Sequence, residues 1–219
     1  DLAIATGYDH VGVRLLPPAP GIAFYPIMDD ASQLKEVMAR LADHPNVVWD
    51  VEVIRLTPNF KVDALEPAIA CAQKIGARAV LVSAGPVEDP MELAQYFSDF
   101  CELAASWGLT ANVEFMPWTP VPDLSAALAL IKNAGSPANA RVLADTIHVE
   151  RSRTTLRDWA AVPETLIDYV QFCDAPAGVP ENMDEILRQA RYERLLPGEG
   201  GIDLLGFLRH LPVERPIAV

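Results

Sequence analysis

Four short stretches of this 219-residue chain set acids, an amide and an imidazole into otherwise apolar surroundings. In ANVEFMPW, Glu114 interrupts a β-rich run that Pro117 ends three residues later. A carboxylate in a strand buried on both faces needs an ionic partner or a bound cation to offset its desolvation. An ordinary salt bridge is the competing reading. In VLADTIH, Asp145 closes the next apolar run and His148 stands three residues on. That pair can converge on one cation, or one can bind it while the other points at a substrate; a plain turn hydrogen bond is the alternative. In YVQFCDAP, Gln171 breaks a third run, and its carbonyl oxygen could serve as a neutral ligand. Asp174, in the same stretch, points to the opposite face of a straight strand and reads as a cap for the following loop. In LPGEGGID, Glu199 rides a glycine-rich loop where it reaches a ligand or faces water, and Asp203 can N-cap the helix that follows.

Weaker candidates stand near the ends of other strands: Arg14 in VGVRL, and Glu52 and Arg55 in DVEVIRL. Guanidinium forks suit carboxylate or phosphate groups of a substrate, and equally suit acidic partners on a neighbouring strand. Trp118 can wall a sugar ring or simply pack. His10, His44 and His210 are given no chemistry, and Met38, Met91 and Met116 read as core fillers.

The elements that must position these residues alternate between two periods. β-Rich runs are expected at His10–Leu15, Val47–Leu56, Ala79–Ser83, Thr110–Met116, Arg141–Thr146, Tyr169–Cys173 and Pro216–Val219. Between them, apolar residues recur at three- and four-residue spacing, as in Leu34/Val37/Met38/Leu41, Leu65/Ile69/Ala72/Ile75, Leu93/Phe97/Phe100/Leu103 and Leu124/Leu128/Ile131. Gly7, Gly76, Gly108 and Gly135 each follow a helical run and precede a strand, the place for a cap of positive φ. Strand–helix alternation of this kind means a parallel sheet with helical crossovers. No GxGxxG or GxxxxGK[ST] signature supports an open nucleotide-binding sheet, whereas polar residues end strand after strand, as in a (β/α)8 TIM barrel. Seven strands are expected rather than eight. With about 250 residues usual for the fold, the chain reads as a single barrel domain over 1–219 that lacks strand 1 and the end of strand 8.

Composition narrows the function. Thirty Asp and Glu against 17 Lys and Arg give a formal charge of −13, which opposes a nucleic-acid clamp and leaves room for a cation site. No apolar run approaches the length of a membrane span. Cys71, Cys101 and Cys173 are widely spaced without a CxxC pair, which fits free thiols and a cytoplasmic location.

From GYDHVGVRL through VEFMPW, VLADTIH and YVQFCDAP to LPGEGGIDL, the chain resembles the xylose isomerase-like barrel family of sugar phosphate isomerases and epimerases. The resemblance implies a divalent metal, Mn2+ first and Mg2+, Co2+ or Zn2+ as alternatives, held by Glu114, Asp145 and Gln171. Gln171 falls where many members have His, and the family's strand-eight Glu would follow Val219. It further implies an isomerase or epimerase of a small keto-sugar or sugar derivative, working by α-proton abstraction through a metal-stabilised enediolate. Glu114 and His148 would be catalytic, and Arg14, Glu52, Arg55, Trp118 and Glu199 substrate-binding. A dehydratase shares the first step. A zinc-dependent endonuclease of the same barrel type is disfavoured by the charge, and a non-catalytic binding barrel is the remaining alternative. Family members are often dimers or tetramers, which sets the expectation of a homo-oligomer.

Overall fold

In a computed structural model of the chain, residues 2–17, 24, 27–44 and 46–219 are described. Seven strands form one sheet in sequence order: β1 (Val11–Arg14), β2 (Val48–Leu56), β3 (Ala79–Ala84), β4 (Thr110–Glu114), β5 (Ala140–Asp145), β6 (Val170–Gln171) and β7 (Ile217–Ala218). Every neighbouring pair is parallel. Val11 and Gly12 of β1 and Ile217 and Ala218 of β7 line one cavity of about 520 Å³, so the two sheet edges face each other and the barrel is nearly closed. This is the fold expected of a (β/α)8 barrel, with seven staves.

The helices run between the strands: α1 (Leu2–Ala5), α2 (Ala31–Leu41), α3 (Glu66–Lys74), α4 (Pro90–Ser106), α5 (Leu124–Asn133), α6 (Thr146–Arg151), α7 (Leu156–Ala160), α8 (Met183–Tyr192) and α9 (Leu204–Leu208). Gly7, Gly76, Gly108 and Gly135 have φ of 87°, 86°, 72° and 83°, as their place between helix and strand requires. Asp30, Asp89, Asp123 and Asn182 accept hydrogen bonds from the first turns of α2, α4, α5 and α8. Asp203 does the same for α9, as its sequence context suggests.

Side-chain alternation along the strands sorts the core into two layers. Val80, Val82, Val113, Val142 and Val170 join the large cluster between sheet and helices, with Phe97, Phe100 and Trp159. Ala79, Leu81, Leu143 and Tyr169 form a separate cluster with Trp49 and Val53 inside the barrel. That parity points residues 110, 112 and 114 of β4, 143 and 145 of β5 and 169 and 171 at β6 into the interior. Met116 is buried, but Met38 and Met91 are 39% and 61% exposed and are not core fillers. Met38 lies at the edge of the half-buried face of α2, and Met91 sits in the first turn of α4. The three cysteines are free and buried. Among the described residues, no helix is long and apolar enough to cross a membrane.

Candidate metal centre

Glu114 is the last residue of β4. The strand stops there rather than at Met116, because the Met116 N–H turns aside to donate to the Val121 carbonyl. Asp145 is the last residue of β5, and its Oδ1 accepts from the Ile147 N–H at 3.1 Å. That cap starts α6 at once, so His148 stands on a helix directly after the strand. The helix swings the imidazole back over the strand ends, to 3.5 Å from Glu114 Oε1 and 3.9 Å from Asp145 Oδ2, measured from Nε2. Donor atoms of Glu114, Asp145 and His148 all fall within 4.8 Å of one another, and all three residues are buried. Trp118 meets the His148 ring edge-on at 5.1 Å.

The electrostatics follow from burial. Desolvation, with the Asp145 charge second, raises the Glu114 pKa well above the carboxylate range. Desolvation pushes His148 down to about 4 against the pull of Asp145. By themselves these residues therefore form a largely neutral acid–imidazole contact, not a salt bridge. A cation of charge two would invert that balance and ionise Glu114. The donor set fits one. Bonds of about 2.1 Å place cis donors about 3.0 Å and trans donors about 4.2 Å apart, and the observed 3.5 and 3.9 Å lie between those limits. Two carboxylates with one imidazole suit a borderline or hard divalent ion.

Gln171, beside Asp145 in the β5–β6 register, lines the same cavity of about 810 Å³ as Glu114 and His148. Arg14 and Glu52, also in register, form an ion pair at 2.9 Å on the cavity wall. Arg55 and Trp118 line it too. Glu199 does not: it is exposed on its loop. Asp174 is buried and caps that loop, accepting from the N–H groups of Ala175, Gly198 and Ile202. Although burial opposes it, these backbone donors and Gly200 hold the Asp174 pKa below the usual value. A side chain at Gly200 would collide with the Ala175 carbonyl and the Asp174 carboxylate, so only glycine permits the approach.

Three residues of this centre carry no separate mark in the sequence. Arg194, two positions past α8, donates from Nη1 to Asp145 Oδ2 at 2.6 Å, and that atom lies 3.4 Å from Cys173 Sγ. Burial and Asp145 raise the Cys173 thiol to about 12, which keeps it protonated. Arg151, buried on α6, donates to Gln189 and to the Pro176 and Gly178 carbonyls, fastening the loop after β6 to the helix that carries His148. Nothing local distinguishes Arg194 from Arg191.

Residues 1–214 match the family model described as xylose isomerase-like TIM barrel. A 3-dehydroshikimate dehydratase of Pseudomonas aeruginosa is 33% identical over 141 residues, covering 62% of this chain and 22% of that protein. The chain thus spans about a fifth of that relative's length. A crystal structure of an IOLI protein with a bound zinc atom superposes with TM-score 0.78 at 15% identity, over all of this chain and 81% of that one. A D-tagatose 3-epimerase-like protein gives TM-score 0.67 at 17% identity, over 100% and 84% of the two chains. Both structural likenesses concern the fold.

Proposed function

The chain belongs to the xylose isomerase-like TIM barrel family, and from that premise we propose that it is a divalent-metal-dependent isomerase or epimerase of a small keto-sugar or sugar derivative. The supporting observation is the convergence of Glu114, Asp145 and His148 within 4.8 Å at the strand ends of a barrel. Glu114 and Asp145 would hold the ion, Mn2+ as first choice, with Gln171 supplying a neutral oxygen from the next strand. When bound, the ion would draw electron density from neighbouring carbonyl and hydroxyl oxygens of the substrate and acidify the proton between them.

Glu114 would take that proton. Its burial makes the ionised carboxylate a stronger base than an exposed one, and the same carboxyl can return the proton to the neighbouring carbon. His148, held neutral by burial, can donate a hydrogen bond to a substrate oxygen without adding a charge. Trp118 fixes the plane of that imidazole and offers an apolar wall. Arg14, braced by Glu52, and Arg55 would meet the far end of the substrate. The buried free thiols suit a reducing compartment, and we place the enzyme in the cytoplasm as a homo-oligomer acting on a small molecule.

A dehydratase is the second reading, favoured by the 33% identical relative of that activity. Proton removal is the same step, followed by loss of a β-hydroxyl as water. Product analysis separates the readings, since isomerisation preserves substrate mass and dehydration removes one water. The metal reading itself is tested by elemental analysis of the purified chain. About one divalent ion per chain, lost in Glu114→Gln and Asp145→Asn, is expected; equal metal content in all three proteins would refute it.

A further inference from the structure

The cation position nearest Asp145 is already contested by a side chain. Arg194 Nη1 lies 2.6 Å from Asp145 Oδ2, the same oxygen that faces His148 Nε2 at 3.9 Å. The other oxygen, Oδ1, is committed to capping α6. A divalent ion held by Glu114, Asp145 and Gln171 would therefore share one oxygen with a guanidinium, and two cations at such range repel strongly in a buried setting. Arg194 has somewhere to go. Its side chain is 38% exposed, it lines the 810 Å³ cavity, and its Nη2 makes no hydrogen bond among the described residues. Its Nε–H donates to the Ala190 carbonyl at 2.7 Å, and because the guanidinium is planar the fork leaves that bond when it swings towards the cavity.

The cavity's charge suggests what the released fork would meet. In a chain of formal charge −13, four arginines (14, 55, 191 and 194) and two glutamates (52 and 114) line this one space. Arg55 and Arg191 have no ion-pair partner among the described residues. A carboxylate-bearing substrate matches that imbalance, because a guanidinium fork binds it bidentately.

We infer that Arg194 is an exchangeable counter-charge: it neutralises Asp145 until a divalent cation displaces it, and then receives a carboxylate group of the substrate. Metal loading would so create the anion site and impose an order, cation before substrate. The inference rests on the proposed metal reading and deepens it to an anionic substrate class.

Zn2+ is a suitable diamagnetic probe, titrated into the chelator-treated full chain against a competing fluorescent chelator. Arg194→Met is expected to bind Zn2+ about tenfold more tightly than the wild type, because the competitor is gone. Equal or weaker binding overturns the exchange while leaving the metal reading intact; failure of Zn2+ to bind any of the proteins removes the metal reading instead. Asp145→Asn keeps the α6 cap oxygen but releases the guanidinium without any metal. Succinate should then shift the Arg194 side-chain Nε–H resonance in the metal-stripped Asp145→Asn protein, and in the wild type only after Zn2+ is added. A succinate response of the metal-stripped wild type equal to that of Asp145→Asn, or none in Asp145→Asn, overturns it as well.

Discussion

At the N-terminal ends of the strands, Asp168 accepts from Arg141 and from Thr110, Asn112 donates to Thr110, and Asp50 accepts from Tyr169 at 2.9 Å. Each carboxylate there has donors of its own. At the C-terminal ends, Glu114 and Asp145 face one imidazole and one guanidinium, with Gln171 beside them. The residue types are alike and the arrangement is opposite. At the barrel base each acid has its own donor, Arg141 for Asp168 and the Tyr169 hydroxyl for Asp50, whereas at the other end two acids share one imidazole and one guanidinium. On the proposed metal reading, such a cluster persists because it holds an ion, and burial with neighbouring charge shifts the protonation of its members.

Substitutions at the two ends should separate these roles. Glu114→Gln is expected to lower turnover about 1000-fold, in the range of a lost proton carrier, with the fold kept by circular dichroism; a drop under tenfold would place Glu114 outside the chemistry. Asp174→Ala, between the two regimes, leaves the buried Ala175 N–H and the partly buried N–H groups of Gly198 and Ile202 without their acceptor and should cost about 2 kcal/mol by denaturant unfolding, with Asp174→Asn intermediate. At the base, burial and Glu52 raise the Asp50 pKa to about 6 from an unfolded value near 3.8. A carboxyl with a raised folded pKa loses stability as pH climbs between those values. Asp50→Asn should therefore match the wild type near pH 4 and exceed it by about 2 kcal/mol above pH 6. Unfolding curves with the same pH slope in both proteins would show that Asp50 is not strained. Smallest of all, Asp168→Asn should cost about 1 kcal/mol, because the amide oxygen can still accept from Arg141 or Thr110, and should leave turnover within about twofold. If Asp168→Asn and Glu114→Gln fell together in activity, the contrast between the ends would collapse.

Much of the framework was legible before any coordinates. The seven β-runs, the four glycine caps and the parallel order follow from period and punctuation, which are local properties of the chain. Strand ends were less legible: β4 stops at Glu114 and β6 shrinks to two residues, because backbone partners across loops decide where pairing ends. Glu114, Asp145 and Gln171 stood out because a polar group in a buried strand is expensive anywhere. Asp174 was readable as a cap because a short acid after a strand has few other uses. Glu199 carried the same local marks as a ligand, on a flexible glycine loop, yet that loop turns it to water.

What the sequence determined alone is the barrel and the acids at the ends of its staves, since alternation of hydrophobicity and the penalty for burying charge act residue by residue. Tertiary structure decided which distant groups share the mouth. The α6 helix brought His148 within 3.5 Å of Glu114, and Arg194 came onto Asp145 from 49 positions away. Electrostatic interactions depend on separation in space, and no local pattern in the chain encodes that.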